Sequence, residues 1–362
     1  MVQTALPALV NMLPRERVLA ALEFRAPDIV PVEYHASPAG FVEHGEKLRR
    51  MWIEECDDFG PPGRFQIPTV DPGPRTWYDA WGVQWHEHAF GAGGLPIKRP
   101  LNDWQAWPEF RTPALPAVSG PEFDAERIRA SGYRQKYFLK SGWISLFELM
   151  HALRPFEEVL MDIASGSPEI ERLADRLTEH HLSYIDYLLA RGVDAVQFGD
   201  DFGTQTELML SPKMWRRFFQ PRYQAMIRKI KSAGAKVFFH SCGSVGALLE
   251  DIAALGTDAI WPQLNTYSLP RLARFCRETK LAIALHPDRG ELMIRSSPEE
   301  VRHYVRSLAE TFEVDRGGAW FYVEVDRGFP FDNVAALTRT IAELRNGAIP
   351  AEAASAPSGH AE

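Results

Sequence analysis

Residues 236–262 read KVFFHSCGSVGALLEDIAALGTDAIWP, and their texture decides the fold class. A β-rich apolar run, KVFFHS, meets a glycine-containing turn, then a helical stretch over 244–254, then a second apolar run, TDAIWP. Short, nearly continuous apolar runs that alternate with helices are the pattern of parallel strands covered on both faces. The alternation continues outward. YFLKSG (137–142) and DAVQFG (194–199) precede the quoted stretch, and LAIALHP (281–287) and AWFYVEV (319–325) follow it. Further helices are predicted at 169–191, 211–233, 268–279, 298–312 and 332–346, and DIVPVEY supplies an early strand. So many βα units without a glycine-rich phosphate turn predict an α/β fold of the closed (β/α)8 TIM-barrel type rather than a doubly wound sheet.

The first 130 residues differ in texture. They are rich in Pro, Trp and Gly (PPGRFQIPTVDPGPRTWYDAWGVQWHEHAFGAGG), with helices expected at 14–23 and 39–56 and then loops and hairpins. The chain therefore reads as one barrel domain over 1–346 with an irregular Pro/Trp-rich N-terminal part. The Ala/Pro/Ser-rich tail 347–362 is expected to be disordered. The 362 residues are 45% hydrophobic and 24% charged, with a net charge of −8, so no basic field is available to draw in nucleic acid or an anionic membrane. No apolar run approaches the roughly 20 residues needed to span a bilayer. The opening MVQTALPALVNMLPRER lacks the marks of a signal peptide, which predicts a cytoplasmic protein. Three widely spaced cysteines argue against a disulfide framework.

Barrel sites are built at the carboxyl ends of the strands, and the unusual polar residues fall there. DAVQFG leads to Asp200 and Asp201, KVFFHS to His240 and Cys242, and TDAIWP to Trp261, Gln263 and Asn265. LAIALHP ends at His286 and Asp288, AWFYVEVD carries Glu324 and Asp326, the early strand ends at Glu33 and His35, and YFLKSG leads to Trp143. Each has a plainer reading. One of two adjacent acids is often a helix or turn cap, and His286 before a proline could simply donate to a carbonyl. Tryptophans 77, 81 and 85 fit packing, Cys56 and Cys276 sit in helical contexts that suit structural roles, and surface or capping roles suffice for histidines 86, 88, 151, 180 and 181. His240 and Cys242 could hold one ion, because residues i and i+2 of an extended segment share a side. H-x-C also occurs by chance, and a buried pair is the alternative.

Three stretches, GDDFGTQTELMLSPKMWRRFFQP (199–221), KVFFHSCGSVGALLEDIAALGTDAI (236–260) and GFPFDNVAAL (328–337), resemble the uroporphyrinogen decarboxylase-like superfamily, and LPRERVLAALEFRAPDIVPV (13–32) is similar to that family's start. The resemblance implies a (β/α)8 barrel with its pocket at the strand carboxyl ends. One branch of the superfamily decarboxylates uroporphyrinogen without a cofactor, using an N-terminal Arg-Gln-Ala-Gly-Arg segment. Here the corresponding region reads PVEYHASPAG, so heme-pathway decarboxylation is not expected. The other branch comprises zinc methyltransferases that work with a corrinoid protein, with a His-x-Cys pair at a strand end and a third ligand, usually cysteine, near the last strand. His240 and Cys242 match the first two positions. FYVEVDRGFPFDN has no cysteine, which leaves Glu324 as the expected third ligand and Asp326 as second choice.

The resulting expectation is a zinc-dependent methyltransferase. It would move a methyl group between a small methoxy or methylated compound, or a thiol, and a corrinoid. The corrinoid would be supplied by a separate corrinoid-binding protein, because this chain has no Asp-x-His-x-x-Gly loop. His240, Cys242 and Glu324 would hold zinc with a fourth position open. Asp200, Asp201 and His286 would be catalytic, while Gln263, Trp261, Trp143, Glu33, His35 and Arg289 would bind substrate. The competing enzyme reading is a metal-free decarboxylase or lyase acting on a carboxylated small molecule or tetrapyrrole, with Arg289, Arg295 and Arg327 holding carboxylates. A corrinoid- or porphyrin-binding module is a third reading, and the family suggests a homodimer.

Overall fold

The structure is a computed structural model that describes residues 11–54, 57–61, 73–91 and 93–347. Cys56 and residues 348–362 of the expected tail lie outside them. In chain order the helices and strands of the N-terminal part are α1 (Pro14–Leu22), β1 (Val32–Ala36), α2 (Pro38–Glu54), β2 (Arg75–Tyr78), β3 (Gln84–Glu87), β4 (Leu95–Lys98) and α3 (Pro121–Arg134). The regular part continues with β5 (Lys140–Ile144), α4 (Phe147–Leu153), α5 (Phe156–Ser165), α6 (Pro168–Arg191), β6 (Ala195–Gly199), α7 (Pro212–Phe218) and α8 (Gln220–Ser232). It ends with β7 (Lys236–Ser241), α9 (Leu249–Ala254), β8 (Ala259–Pro262), α10 (Leu269–Thr279), β9 (Ala282–Leu285), α11 (Pro298–Thr311), β10 (Ala319–Val325) and α12 (Phe331–Arg345).

The expected TIM-barrel architecture is present. Seven parallel strands form one sheet in the order β1–β10–β9–β8–β7–β6–β5, and β2–β4 form a separate antiparallel sheet. The segment Asp57–Phe59 stands between the two edge strands. The Asp58 N–H donates to the Val32 carbonyl at 3.0 Å, and the Asp58 carbonyl accepts from Phe138 N–H at 3.3 Å. It thus fills the eighth-strand position with a few residues of irregular backbone.

The Asp58 side chain is fully buried and ties four parts of the chain together. It accepts from Val32 N–H at 2.9 Å and Arg345 Nη1 at 2.7 Å, and from Arg17 of α1. Arg17 is itself held by Asp28. A buried charge is tolerated when it is paired and its remaining lone pairs are satisfied, and this one is.

Side chains alternate across each strand. One set (Val32, Tyr34, Val196, Phe198, Val237, Phe239, Ile260, Ile283, Leu285, Phe321, Val323) joins the helices in the outer core. The other set (Ala195, Phe238, Ala259, Ala282, Ala284, Trp320, Tyr322) fills the barrel interior together with Phe59, Phe138, and Val18 and Leu22 of α1. The small alanines make room for the large aromatics, and α1 closes the amino end.

Local signals fix the helix ends. Ser167 caps α6, which ends at Gly192 with φ +85°, and Ser297 and Glu300 form a reciprocal capping box at α11. The single helix expected over 211–233 is two, α7 and α8, which meet at Phe219. Pro221 lacks an N–H and fits only a first turn, so the ladder restarts there. Helices α3, α4 and α5 had no counterpart in the sequence reading. Trp81 packs edge-on to His180 at 4.8 Å, and the Trp85 indole donates to Asp79, in line with packing roles. Cys276 is buried in the outer core. No helix among the described residues is long and apolar enough to cross a membrane.

Two stability predictions follow from buried polar groups. Asp58→Ala strands Arg17 and Arg345 without their shared partner and is expected to cost about 3–5 kcal/mol in urea unfolding. His181 is buried, donates Nε2–H to the Ser145 carbonyl, and is held down to about 4 by burial. The unfolded chain therefore takes up a proton near pH 6.5 that the folded chain refuses until about pH 4, and stability falls as pH drops through that window. Between pH 7.5 and 5, His181→Gln is expected to remove about 2 kcal/mol of the wild-type loss, read from denaturant midpoints at the two pH values.

Candidate active site at the carboxyl end of the barrel

Strand register sets the rim of the site. Gly199 pairs with His240, His240 with Trp261, and Glu324 with His35, so these residues stand at one level around the barrel. A cavity of about 680 Å³ opens there, lined by Asp201, His240, Cys242, Trp261, Gln263, His286, Arg289 and Glu324, among others. Trp261, in its wall, packs against the aromatic interior of the barrel.

Asp201 reaches Cys242 because two loops touch backbone to backbone. A Cβ on Gly243, whose φ is +78°, would lie 2.1 Å from the Gly203 carbonyl oxygen, and one on Gly203 would lie 2.6 Å from Ser244 N. Only glycine permits that approach at either position. With the loops so joined, Asp201 Oδ1 accepts the Cys242 N–H at 2.6 Å and lies 3.5 Å from His240 Nε2. Cys242 Sγ is 3.3 Å from the same Nε2. The ligand atoms of Asp201, His240 and Cys242 all lie within 4.8 Å of one another, the one such group of three among the described residues.

The donor set fits a zinc ion. His240 Nδ1 lies 2.8 Å from the Trp261 carbonyl, which has no proton to give, so Nδ1 must carry the proton and Nε2 keeps its lone pair. Carboxylate, imidazole and thiolate are all zinc ligands, and three of them leave a fourth position. Burial, with Asp201 beside it, pushes the Cys242 thiol up to about 12. Burial pulls His240 down, partly opposed by Asp201.

Glu324, the expected third ligand, is not in that group. Its Oε2 lies 3.3 Å from Arg289 Nη1 and 3.4 Å from His286 Nε2, and burial pushes its carboxyl up to about 7. Asp326 pairs with Arg289 at 3.0 Å. Asp200, expected to be catalytic beside Asp201, is fully buried and off the cavity lining. Its carboxylate accepts from Leu146 N–H at 2.6 Å, Glu148 N–H at 2.8 Å and the Tyr223 hydroxyl, and so caps the start of α4. Of the two adjacent acids, one is the cap and the other faces the pocket.

The remaining expected residues divide in the same way. Gln263 lines the cavity, accepts from Gly243 N–H at 3.0 Å, and forms a reciprocal amide pair with Gln205. His286 lines it too, accepting the Trp261 indole N–H at Nδ1. Trp143 is half exposed and rests on Gly199, with its ring 5.6 Å from that of His240. Glu33 pairs with Lys140 at 2.9 Å, and the His35 ring stacks with Tyr322 at 6.3 Å. Of the three arginines, Arg289 lines the cavity, whereas Arg295 is exposed and paired with Glu291.

Lys140, Tyr322 and Gln205 were missed. Lys140 Nζ lies 5.5–6.0 Å from the rings of Phe59, Phe238, Trp261 and Tyr322. A lone lysine inside the apolar run YFLKSG was the available signal.

A parallel barrel with a polar cavity at its strand carboxyl ends defines the TIM-barrel class of sites. A profile of the family described as Uroporphyrinogen decarboxylase (URO-D) matches residues 137–344, and the chain belongs to that family. A solved methyltransferase from Methanosarcina mazei shares the fold at TM-score 0.64 and 15% identity, covering 92% of this chain and 99% of its own. A B12-independent methionine synthase from Shewanella sp. W3-18-1 aligns at TM-score 0.37 and 11% identity, over 76% of this chain and 74% of its own. A Xanthomonas albilineans dihydropteroate synthase aligns at TM-score 0.35 and 12% identity, over 55% and 66%. No curated protein matches the chain.

The packing of Trp143 on Gly199 is testable. A Cβ at Gly199 would sit 2.1 Å from the indole, so Gly199→Ala is expected to cost about 1–3 kcal/mol by overpacking and to shift the tryptophan emission as Trp143 is displaced.

Proposed function

We propose that the protein is a zinc-dependent methyltransferase of the uroporphyrinogen decarboxylase family. It moves a methyl group between a small methoxy or methylated compound, or a thiol, and a corrinoid carried by a separate protein. The observation that carries this reading is the convergence of Asp201, His240 and Cys242 within 4.8 Å at the cavity wall. Asp201 takes the third position in place of Glu324. The match of fold to the Methanosarcina mazei methyltransferase over nearly both chains supports it.

Zinc would supply Lewis acidity at its open position, which favours a thiolate or takes up charge developing on an oxygen. The chain's own groups do the rest. The Trp261 carbonyl holds His240 in the tautomer that leaves Nε2 free. The Cys242 N–H orients Asp201. The Gln205–Gln263 amide pair lines the cavity, Trp143 stands beside His240, and Arg289 Nη1 lies 3.3 Å from Glu324 on the cavity wall.

Purification without chelators is expected to give about one zinc per chain by elemental analysis, with Cys242→Ser and Asp201→Asn losing most of it and Glu324→Gln keeping it. Wild-type protein with less than about a tenth of an equivalent would sink the assignment. Loss in Glu324→Gln but not in Asp201→Asn would return the third position to Glu324. Methyl transfer is tested separately, by incubating the zinc-loaded chain with methylated corrinoid protein and candidate thiols or methoxy compounds and following the corrinoid spectrum.

A further inference from the structure

Four carboxylates line the cavity (Asp201, Asp288, Glu291 and Glu324), and three of them are already engaged. Asp201 stands with His240 and Cys242. Asp288 accepts from Asn265 Nδ2 at 2.8 Å and from Leu292 N–H at 3.1 Å, and so caps the turn that follows it. Glu291 is exposed and pairs with Arg295. Glu324 is mostly buried at the end of β10, with β8 and β9 between it and the strand of His240. One of its oxygens is held. Oε2 lies 3.3 Å from Arg289 Nη1 and 3.4 Å from His286 Nε2. His286 Nδ1 takes the Trp261 indole N–H and burial keeps the ring neutral, so both nitrogens beside Oε2 bear hydrogen. No described residue donates a hydrogen bond to Oε1, which leaves that oxygen to the cavity.

We propose that Glu324 is the general base of the cavity, taking at Oε1 the proton of a thiol on its small-molecule ligand while Arg289 and His286 hold Oε2 in place. The S–H bond breaks, its electron pair stays on sulfur, and an O–H bond forms at Oε1. In the reverse direction the same carboxyl returns the proton to sulfur. The fate of that sulfur rests on the methyltransferase reading; the proton transfer does not. Burial pushes the Glu324 carboxyl up to about 7, against the opposing pull of Arg289 and with Asp326 and Glu33 adding to the rise. His35, paired in register on β1, and Tyr322 on the same strand complete the titratable groups around it, and Lys140 offsets Glu33. A thiol titrating at about 8.5 is then within about two units of its base, whereas an ordinary glutamate would be about four units away.

The test is carbon NMR of the full-length chain labelled at the glutamate side-chain carboxyls, with Glu324 assigned by the signal lost in Glu324→Gln. Its midpoint is expected near 7, and a carboxyl that stays ionised down to about pH 5 overturns the base. Slightly above the midpoint, ethanethiol is expected to move the Glu324 signal toward its protonated position. Dimethyl sulfide, an isomer with no S–H, is expected to leave it in place. Ethanethiol leaving the signal unmoved, or dimethyl sulfide moving it as far, overturns the thiol contact. In methyl transfer to a thiol, Glu324→Gln is expected to lower kcat about a hundredfold and to remove the limb of its pH profile that Glu324 supplies. Glu324→Asp is expected to restore part of both. Wild-type rate and profile in Glu324→Gln overturn the role. A wild-type chain that transfers no methyl group refutes the activity alone, because the carboxyl signals need neither zinc nor corrinoid and still decide the base.

Discussion

Asp58 is the constraint on which the barrel depends. Seven strands leave β1 and β5 as edges, and an open parallel edge exposes unpaired N–H and C=O groups. Asp57–Phe59 pairs its backbone to both sides, and the buried Asp58 carboxylate collects α1, α12 and β1 through Arg17, Arg345 and Val32. The ion cluster therefore holds the two ends of the described chain against the closing segment. A hydrophobic side chain there could fill the same volume but could not satisfy two buried guanidinium groups at once. With the barrel closed, the strand ends stand in register, and only then do side chains from β6, β7, β8, β9 and β10 face one cavity.

Within that cavity, Trp261 has a larger role than an aromatic wall. Its carbonyl and indole bond to two different histidines, and its ring lies 4.2 Å from both His240 and Tyr322. One side chain and one carbonyl thus give two imidazoles different chemistry, a bare nitrogen on one and a donor on the other. Below it, the paired Lys140 and Glu33 place a charge pair among rings, so polar groups continue into the barrel beneath the ligand-facing layer.

What the sequence made legible was local. KVFFHS and AWFYVEV are strands with the bounds their apolar runs suggest, because continuous burial on both faces leaves an unambiguous texture. Strand-end position drew attention to His240, Cys242, Trp261, Gln263, His286 and Glu324, and these line one cavity. The illegible parts were non-local or backbone-driven. Asp58 lies in three residues with no periodicity. The roles of Asp200 and Asp201 diverge because α4, a helix with no clear sequence pattern, starts beside one of them. The grouping of Asp201 with Cys242 depends on the contact of Gly203 with Gly243, two loops some forty residues apart. The antiparallel sheet β2–β4 is short, and only one of its strand residues is buried, so its alternation is weak.

The amino end of the barrel is stopped by Val18 and Leu22 of α1, packed against Phe59, Phe138, Phe238 and Trp320. Among the described residues, the barrel is therefore closed at that end. A macromolecule seated on the opening at the carboxyl end would block the passage of small molecules through it. A reaction needing both a small reactant and a docked protein would then have a compulsory order. The small molecule would go in first, the protein would dock and depart, and the small product would be released last.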